Sequence, residues 1–119
     1  MNKQICKITS THLGFEDHGI FTAMITVDYG GCSQSIGGFV MGVPDAPHTT
    51  PRAADFIVGL LKACGVDKWE QLKGRTIFAI FDGDEMPLNT MPLGIENLPT
   101  ERGERFLFKD WQQSVKEAP

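Results

Sequence analysis

The feature that most constrains this chain is a segment of alternating apolar and polar residues that ends directly at two glycines. Apolar side chains occupy every second position of residues 21–29, with mostly polar ones between them. A period of two predicts a strand with one buried and one wet face. Gly30-Gly31 can supply the positive φ angles of a two-residue turn. The sequence therefore predicts an antiparallel hairpin of residues 20–29 and 32–41.

The turn also fixes the register of this hairpin. Counting outward, it places Tyr29 opposite Cys32, Val27 opposite Gln34, Ile25 opposite Ile36, Ala23 opposite Gly38 and Phe21 opposite Val40. The resulting face is apolar except for Gln34. Ala23 and Gly38 leave a flat spot on it, where either a packed helix needs room or a ligand docks on bare backbone.

A helix is predicted over residues 51–64. Thr50 before Pro51 is typical of a helix start, with a hydroxyl cap followed by proline at the first position. Gly65 is typical of a helix end. The apolar positions that share one face of this helix are Ala53, Phe56, Ile57, Leu60, Leu61 and Cys64.

Three more segments resemble strands: residues 4–12, 76–81 and 105–109. The run over 76–81 is almost entirely apolar, which indicates a strand at the centre of a sheet. Residues 86–100 contain three prolines and predict a long irregular loop. Asp110 is a candidate cap for a short helix over 111–116.

These elements predict one α+β domain of order β-β-β-α-β-β. The sheet is antiparallel with about four to five strands, and one main helix packs on one of its faces. A length of 119 residues suits a single domain, since two cores in such a chain would each be too small.

The charge excludes some classes of partner. The net charge is −4, and the 11 Lys and Arg residues are scattered, with Lys73-Gly74-Arg75 as the densest cluster. Binding to nucleic acid usually needs a basic patch, so no direct nucleic-acid contact is expected. An acidic surface instead suits a basic protein partner, including one whose basic groove holds DNA or RNA.

The three cysteines lie far apart and show neither zinc-site spacing nor the even count of a disulfide framework. The N-terminal residues lack the apolar core of a signal peptide, and no apolar run approaches the length needed to cross a bilayer. We therefore expect a soluble protein of the cytoplasm with free thiols and no membrane partner.

Two acidic segments are the candidates for chemistry. Glu16-Asp17-His18 places two carboxylates beside an imidazole, which is how acid–base pairs are made. Asp82, Asp84 and Glu85 follow the apolar strand and could hold a divalent cation, although the other positions of a calcium loop are missing. Neither segment has a recognisable nucleophile beside it, and no phosphate-binding glycine motif occurs. The sequence predicts no catalytic residue, metal or cofactor.

Several short motifs resemble those of small proteins encoded by phages and prophages. They are Ser10-Thr11-His12-Leu13-Gly14, Glu16-Asp17-His18-Gly19, Tyr29-Gly30-Gly31, Gly37-Gly38, Leu60-Leu61-Lys62-Ala63-Cys64-Gly65-Val66, Trp69-Glu70 and Leu72-Lys73-Gly74. The resemblance spans about residues 8–82 and implies an origin, without assigning a site. Small acidic phage proteins without enzyme motifs often bind and block a host protein, including CRISPR–Cas immune systems.

The leading hypothesis is therefore a stoichiometric inhibitor of a host defence complex that acts by protein–protein binding, in the manner of an anti-CRISPR protein. Its expected binding residues are acidic ones in two loops that would share a sheet edge, with apolar anchors beside them: Glu16, Asp17, Asp82, Asp84, Glu85, Met86, Leu88 and Met91. One alternative is a protein that sequesters a nucleotide signal at the flat spot of the sheet. The other is a metal-dependent hydrolase that uses Asp17, His18 or the acids of residues 82–85.

Overall fold

The computed structural model describes residues 2–83, 90–98 and 104–118. Within these ranges the chain forms an antiparallel sheet of six strands, with two α-helices and one short 3₁₀ helix. The elements are β1 (Asn2–Phe15), β2 (Phe21–Asp28), β3 (Ser33–Gly37), α1 (Ala53–Ala63), the 3₁₀ helix (Trp69–Gln71), β4 (Thr76–Phe81), β5 (Gly94–Glu96), β6 (Arg105–Leu107) and α2 (Phe108–Glu117). The strand order is β3-β2-β1-β4-β5-β6. The α+β class is confirmed, with one or two more strands than the sequence predicted.

The hairpin of β2 and β3 is confirmed in its predicted register. Val27 lies opposite Gln34 and Ile25 opposite Ile36. Gly30 and Gly31 both have positive φ, at 95° and 139°. Gln34 is the polar residue on the buried face, and both the oxygen and the nitrogen of its side-chain amide form hydrogen bonds. Its Oε1 accepts a hydrogen bond from the Tyr29 hydroxyl at 2.7 Å, and its Nε2 donates to the carbonyl of Thr90 at 2.7 Å.

The outer part of the predicted hairpin is wrong. β3 ends at Gly37, and Phe21 pairs with Gly42 rather than with Val40. Gly37 and Gly38 have φ angles of 102° and 78°, which turn the chain out of the strand. Phe39 then reaches the core, where its ring lies 5.6 Å from that of Phe56. Burial of this aromatic ring prevails over continued strand pairing.

Helix α1 ends where the sequence predicts and begins two residues later. Arg52 precedes it with φ of 65°, and its carbonyl accepts a hydrogen bond from Trp111 Nε1 at 2.7 Å. No side chain caps this end, so the predicted role of Thr50 as a hydroxyl cap is wrong. At the other end, Gly65 has φ of 70° and donates to the carbonyl of Lys62. This arrangement is the expected glycine end of a helix.

Strands β1 and β4 occupy the centre of the sheet. Most of β4 is fully buried, as its apolar sequence predicts. β1 is longer than the predicted span of residues 4–12, since it runs for 14 residues from Asn2 to Phe15. A register shift between Ile8 and Ser10 places Thr9 as an extra residue, and this β-bulge lets the apolar pattern of β1 stay in step with β2.

Two elements near the C-terminus differ from the prediction. β5 forms inside the segment predicted to be an irregular loop over 86–100, where it pairs with β4. β6 stops at Leu107, and α2 begins at Phe108 rather than at 111, so Asp110 lies in its first turn and is not its cap. Phe108 and Trp111 are buried. Their burial against α1 explains why the helix replaces the last residues of the predicted strand.

The core is one continuous cluster between the helices and the sheet. One part of it is an aromatic cluster of Phe39, Phe56, Phe106, Phe108 and Trp111, with neighbouring ring centroids 5.0–5.9 Å apart. Phe56 contacts the other four rings. The two helices, the segment after β3 and β6 are thereby held together at one place.

Candidate functional site

The acidic loop of residues 16–18 is ordered by its own glutamate. Glu16 Oε1 accepts hydrogen bonds from the backbone N–H groups of His18, at 2.5 Å, and Ile20, at 3.2 Å. Its Oε2 lies 3.1 Å from His18 Nδ1. The hydrogen bond from the His18 ring is the main cause that lowers the pKa of Glu16 below its ordinary value. Glu16 therefore stays ionised and holds the loop, while Asp17 is exposed at its tip.

An apolar cleft adjoins this loop at the end of β1. It encloses about 370 Å³ and is lined by Phe15 and Phe21 of the sheet and by residues 42–44 and 46–49. Phe15 is 73% exposed, and its ring meets that of Phe21 edge-on at 5.5 Å. The loop touches the opposite wall, because a Cβ on Gly19 would lie 3.0 Å from Pro44 Cγ. We call this feature the Phe15 cleft.

The chain segment that contains the residues of the Phe15 cleft carries charge of a single sign. Residues 8–51 contain no Lys or Arg, although they make up more than a third of the chain. They hold four carboxylates, those of Glu16, Asp17, Asp28 and Asp45. The other 11 Asp and Glu residues are matched by the 11 Lys and Arg residues of the chain, so residues 8–51 carry the whole net charge of −4. The exposed ring of Phe15 thus belongs to a chain segment that has carboxylates and no Lys or Arg.

The second acidic segment lies at the opposite end of β1. Asn2 pairs with Phe81, so Asp82 lies beside the start of β1, whereas the loop of residues 16–18 follows its end. The two are separated by the 14 residues of β1. The expectation that the two acidic loops share one edge is wrong for Asp82. The strand β1 runs the full length of the sheet between them.

The remaining predicted binding residues divide into two groups. Asp84, Glu85, Met86 and Leu88 lie outside the described residues. Met91 is 43% exposed and lies beside Leu93 and Phe108 in a shallow groove. Leu93 donates its backbone N–H to Ile80 at 2.7 Å and accepts from Phe108 at 3.0 Å. This segment is thereby fixed to β4 and α2 and lies outside the Phe15 cleft.

The two alternative functions depend on two features, an open ligand surface at the flat spot of the sheet and a set of side chains that can hold a metal ion. Ala23 is fully buried, and a Cβ on the adjacent Gly37 would lie 2.8 Å from its carbonyl oxygen and 3.6 Å from the Phe56 ring. The Ala23 part of the flat spot is therefore closed by the core, whereas Gly38 is exposed and, with φ of 78°, turns away from the strand. Among the described residues, no three His, Cys, Asp or Glu side chains are placed to hold a metal ion.

Two of the three thiols are chemically protected. Burial raises the pKa of Cys6 and of Cys64 to about 12 in each case. Since the thiolate is the nucleophile, these side chains act as small apolar residues of the core.

The comparisons with known proteins assign no family. No family model matches the chain, and no curated protein or solved structure matches it. In the described part of the chain, no helix has the length and apolar character needed to span a membrane.

The sequence prediction located the acidic loop but missed the apolar residues next to it. Phe15 and Val43, which is 49% exposed, both lie outside the predicted strands and helices, where the sequence does not distinguish an exposed side chain from one that folds inward. One sequence signal did mark the region, namely the absence of Lys and Arg over residues 8–51.

Proposed function

We propose that the chain is a small interaction protein that binds a basic protein partner through the Phe15 cleft and the acidic loop beside it. The single observation that carries this proposal is an exposed aromatic ring beside an acidic loop, in a chain segment without Lys or Arg. Interfaces of this kind use a buried aromatic side chain as the anchor and surrounding charges to steer the encounter. Phe15 suits the first role, and Asp17 and Asp45 suit the second.

The partner we propose is a host protein of a phage-infected cell, and specifically a nucleic-acid-binding defence complex. The resemblance to phage-encoded proteins suggests the host. The charge suggests the class, because a groove that holds phosphate groups presents the basic surface that matches residues 8–51. Inhibition would follow from occupation of that groove at a ratio of one to one, in the cytoplasm of the host.

A comparison of two exposed apolar positions on the same strand tests this proposal. The protein, its Phe15→Ser variant and its Ile5→Ser variant are immobilised and used to capture partners from lysates of bacterial hosts. Ile5 is 57% exposed and lies near the start of β1, away from the cleft, so it is a matched control. A true partner is retained by the wild type and by Ile5→Ser and is lost with Phe15→Ser.

The captured protein is then purified and titrated against the three chains. The proposal expects one partner molecule per chain and a loss of affinity of about tenfold or more with Phe15→Ser, the size of effect typical of an aromatic anchor. Melting temperatures of the variants must match that of the wild type. Equal binding by all three chains would contradict the proposal, since it would show that the cleft takes no part.

A further inference from the structure

The central strand β1 extends beyond the strand that pairs with it on one side. β4 is matched to β1 only from Asn2 to Lys7. The turn before β4 then closes on Ile8, whose N–H donates to Arg75 at 2.8 Å and whose carbonyl accepts from Gly74 at 2.7 Å. From Thr9 onward, β1 pairs with β2 on one side, and no strand of the described chain pairs with the other.

The backbone of this segment offers hydrogen-bonding groups to a further strand. Phe21 and Ala23 of β2 bond to residues 42 and 38, on the side away from β1. The backbone N–H and C=O groups of successive residues in an antiparallel strand point alternately to its two neighbouring strands. The backbone groups of the β2 residues between Phe21 and Ala23 and beyond therefore point alternately towards β1, with which β2 is paired. The β1 residues whose N–H and C=O groups point away from β2 are Thr11, Leu13 and Phe15. We call residues 9–15 the open edge.

The open edge is uncharged and lacks the lysines, prolines and inward-pointing charges that commonly protect an edge strand. Proteins commonly blunt such edges with lysine, proline or an inward-pointing charge. Here residues 9–15 contain no charged residue and no proline, and Leu13 and Phe15 are 40% and 73% exposed. An edge of this character is a surface for pairing with another strand.

The two ends of the open edge carry opposite charge. At one end is the acidic loop of residues 16–18, and at the other is the turn with Lys73 and Arg75, which closes on Ile8. Lys73 is exposed. In a twofold-symmetric dimer each contact occurs twice: if one residue of the first copy contacts a second residue of the other copy, then that second residue of the first copy contacts the first residue of the other. Antiparallel pairing of two open edges would therefore place each acidic loop beside the basic turn of the other copy.

We propose that the chain forms a twofold-symmetric homodimer in which the open edges of two copies pair antiparallel and join their sheets. The register that pairs all three outward residues places Leu13 opposite Leu13 and Phe15 opposite Thr11. Thr11 is the residue whose hydroxyl accepts a hydrogen bond from Trp69 Nε1 at 3.1 Å. Phe15 of each copy thus comes next to the Trp69 region of the other. The pairing has room for about seven residues before it meets β4.

This contact is independent of the proposed function, although both use Asp17 and Phe15. A basic partner and a second copy would accordingly compete for the same end of β1. The test below uses the chain alone, so its failure leaves the proposed function standing.

Sedimentation equilibrium over a range of protein concentrations tests the dimer. The expected mass rises from 13.1 kDa for one chain towards twice that value. Leu13→Lys places two ammonium groups opposite each other on the symmetry axis and should raise the dimer dissociation constant at least about tenfold. Ile5→Lys changes the charge of the same strand equally at a position that is paired within the chain, and it should leave the dissociation constant unchanged.

A charge exchange gives a second test that does not depend on the stability of Leu13→Lys. Asp17→Lys and Lys73→Asp should each weaken the dimer, and the two changes together should restore it, because the contact is reciprocal. A wild-type chain that stays at 13.1 kDa at every concentration overturns the proposal. So does equal dimerisation of Leu13→Lys and Ile5→Lys, which would place the contact elsewhere.

Discussion

Phe56→Ala is the change that most directly tests how the fold is held together. Phe56 is fully buried, and its ring centroid lies 5.0 Å from that of Trp111 and 5.4 Å from that of Phe106. Truncation of a buried phenylalanine to alanine costs about 3–5 kcal/mol, from lost transfer free energy and the cavity that remains. The lost aromatic contacts favour the upper part of that range. We expect a loss of about 4 kcal/mol.

The effect is large against the total free energy of unfolding. A chain of this length has a free energy of unfolding of about 6–18 kcal/mol. Each lost kcal/mol lowers the melting temperature by about 4 °C, so the midpoint should fall by about 15 °C. Urea unfolding followed by tryptophan fluorescence gives the free energy, and calorimetry gives the midpoint. Val58→Ala is the matched control, because Val58 is 46% exposed on the same helix.

The control should change the free energy of unfolding by no more than about 0.5 kcal/mol. A loss below about 1.5 kcal/mol for Phe56→Ala, with an unchanged dependence on urea, would refute the reasoning. It would show that the aromatic cluster is not the centre of the core. The same experiment on Leu60→Ala should give about 2–5 kcal/mol, since Leu60 is also buried in the face of α1 that meets the sheet.

Further predictions concern charge, thiols and metal. Hydrogen bonds from Lys3 and Arg105 lower the pKa of Glu96. The stabilisation that the ionised Glu96 gives is therefore complete above the ordinary glutamate pKa of about 4.3, and it is lost as the pH falls towards the lowered pKa. Glu96→Gln should therefore destabilise the protein at pH 7 and much less at pH 3, as measured by urea unfolding at both values. An aromatic disulfide reagent at pH 8 should modify the partly exposed Cys32 quickly and Cys6 and Cys64 only after unfolding, and three fast thiols would contradict their burial. A chelator should leave the melting temperature unchanged, whereas a loss of several degrees would restore the hypothesis of a metal site.

Local signals predicted the parts of the fold that a few residues determine by themselves. Gly30-Gly31 set a turn and therefore a register, and Gly65 ended α1 where expected. The parts that depend on distant contacts were not predictable in this way. β5 is only three residues long and forms because β4 offers it an edge, and β3 ends early because Phe39 is drawn into the aromatic cluster.

The candidate site shows the same division. The acidic loop is evident in the sequence because Glu16, Asp17 and His18 are adjacent. Its neighbours in the Phe15 cleft are not, since Phe15 and Val43 are 28 positions apart and meet only through the pairing of Phe21 with Gly42. The distance between Asp82 and the loop is also a property of topology, because it follows from the pairing of β1 with β4.

The central claim is that a basic partner binds at the end of β1 that carries Glu16 and Asp17, and one pair of charge reversals tests it most directly. The dissociation constant for the captured partner is measured for Asp17→Lys and for Asp82→Lys at low and high salt. Both variants change the net charge equally, at opposite ends of β1. We predict that Asp17→Lys weakens binding about tenfold at low salt and flattens its salt dependence, while Asp82→Lys has a much smaller effect. Loss of affinity with Asp82→Lys and none with Asp17→Lys would contradict the account and place the contact at the far end of the strand.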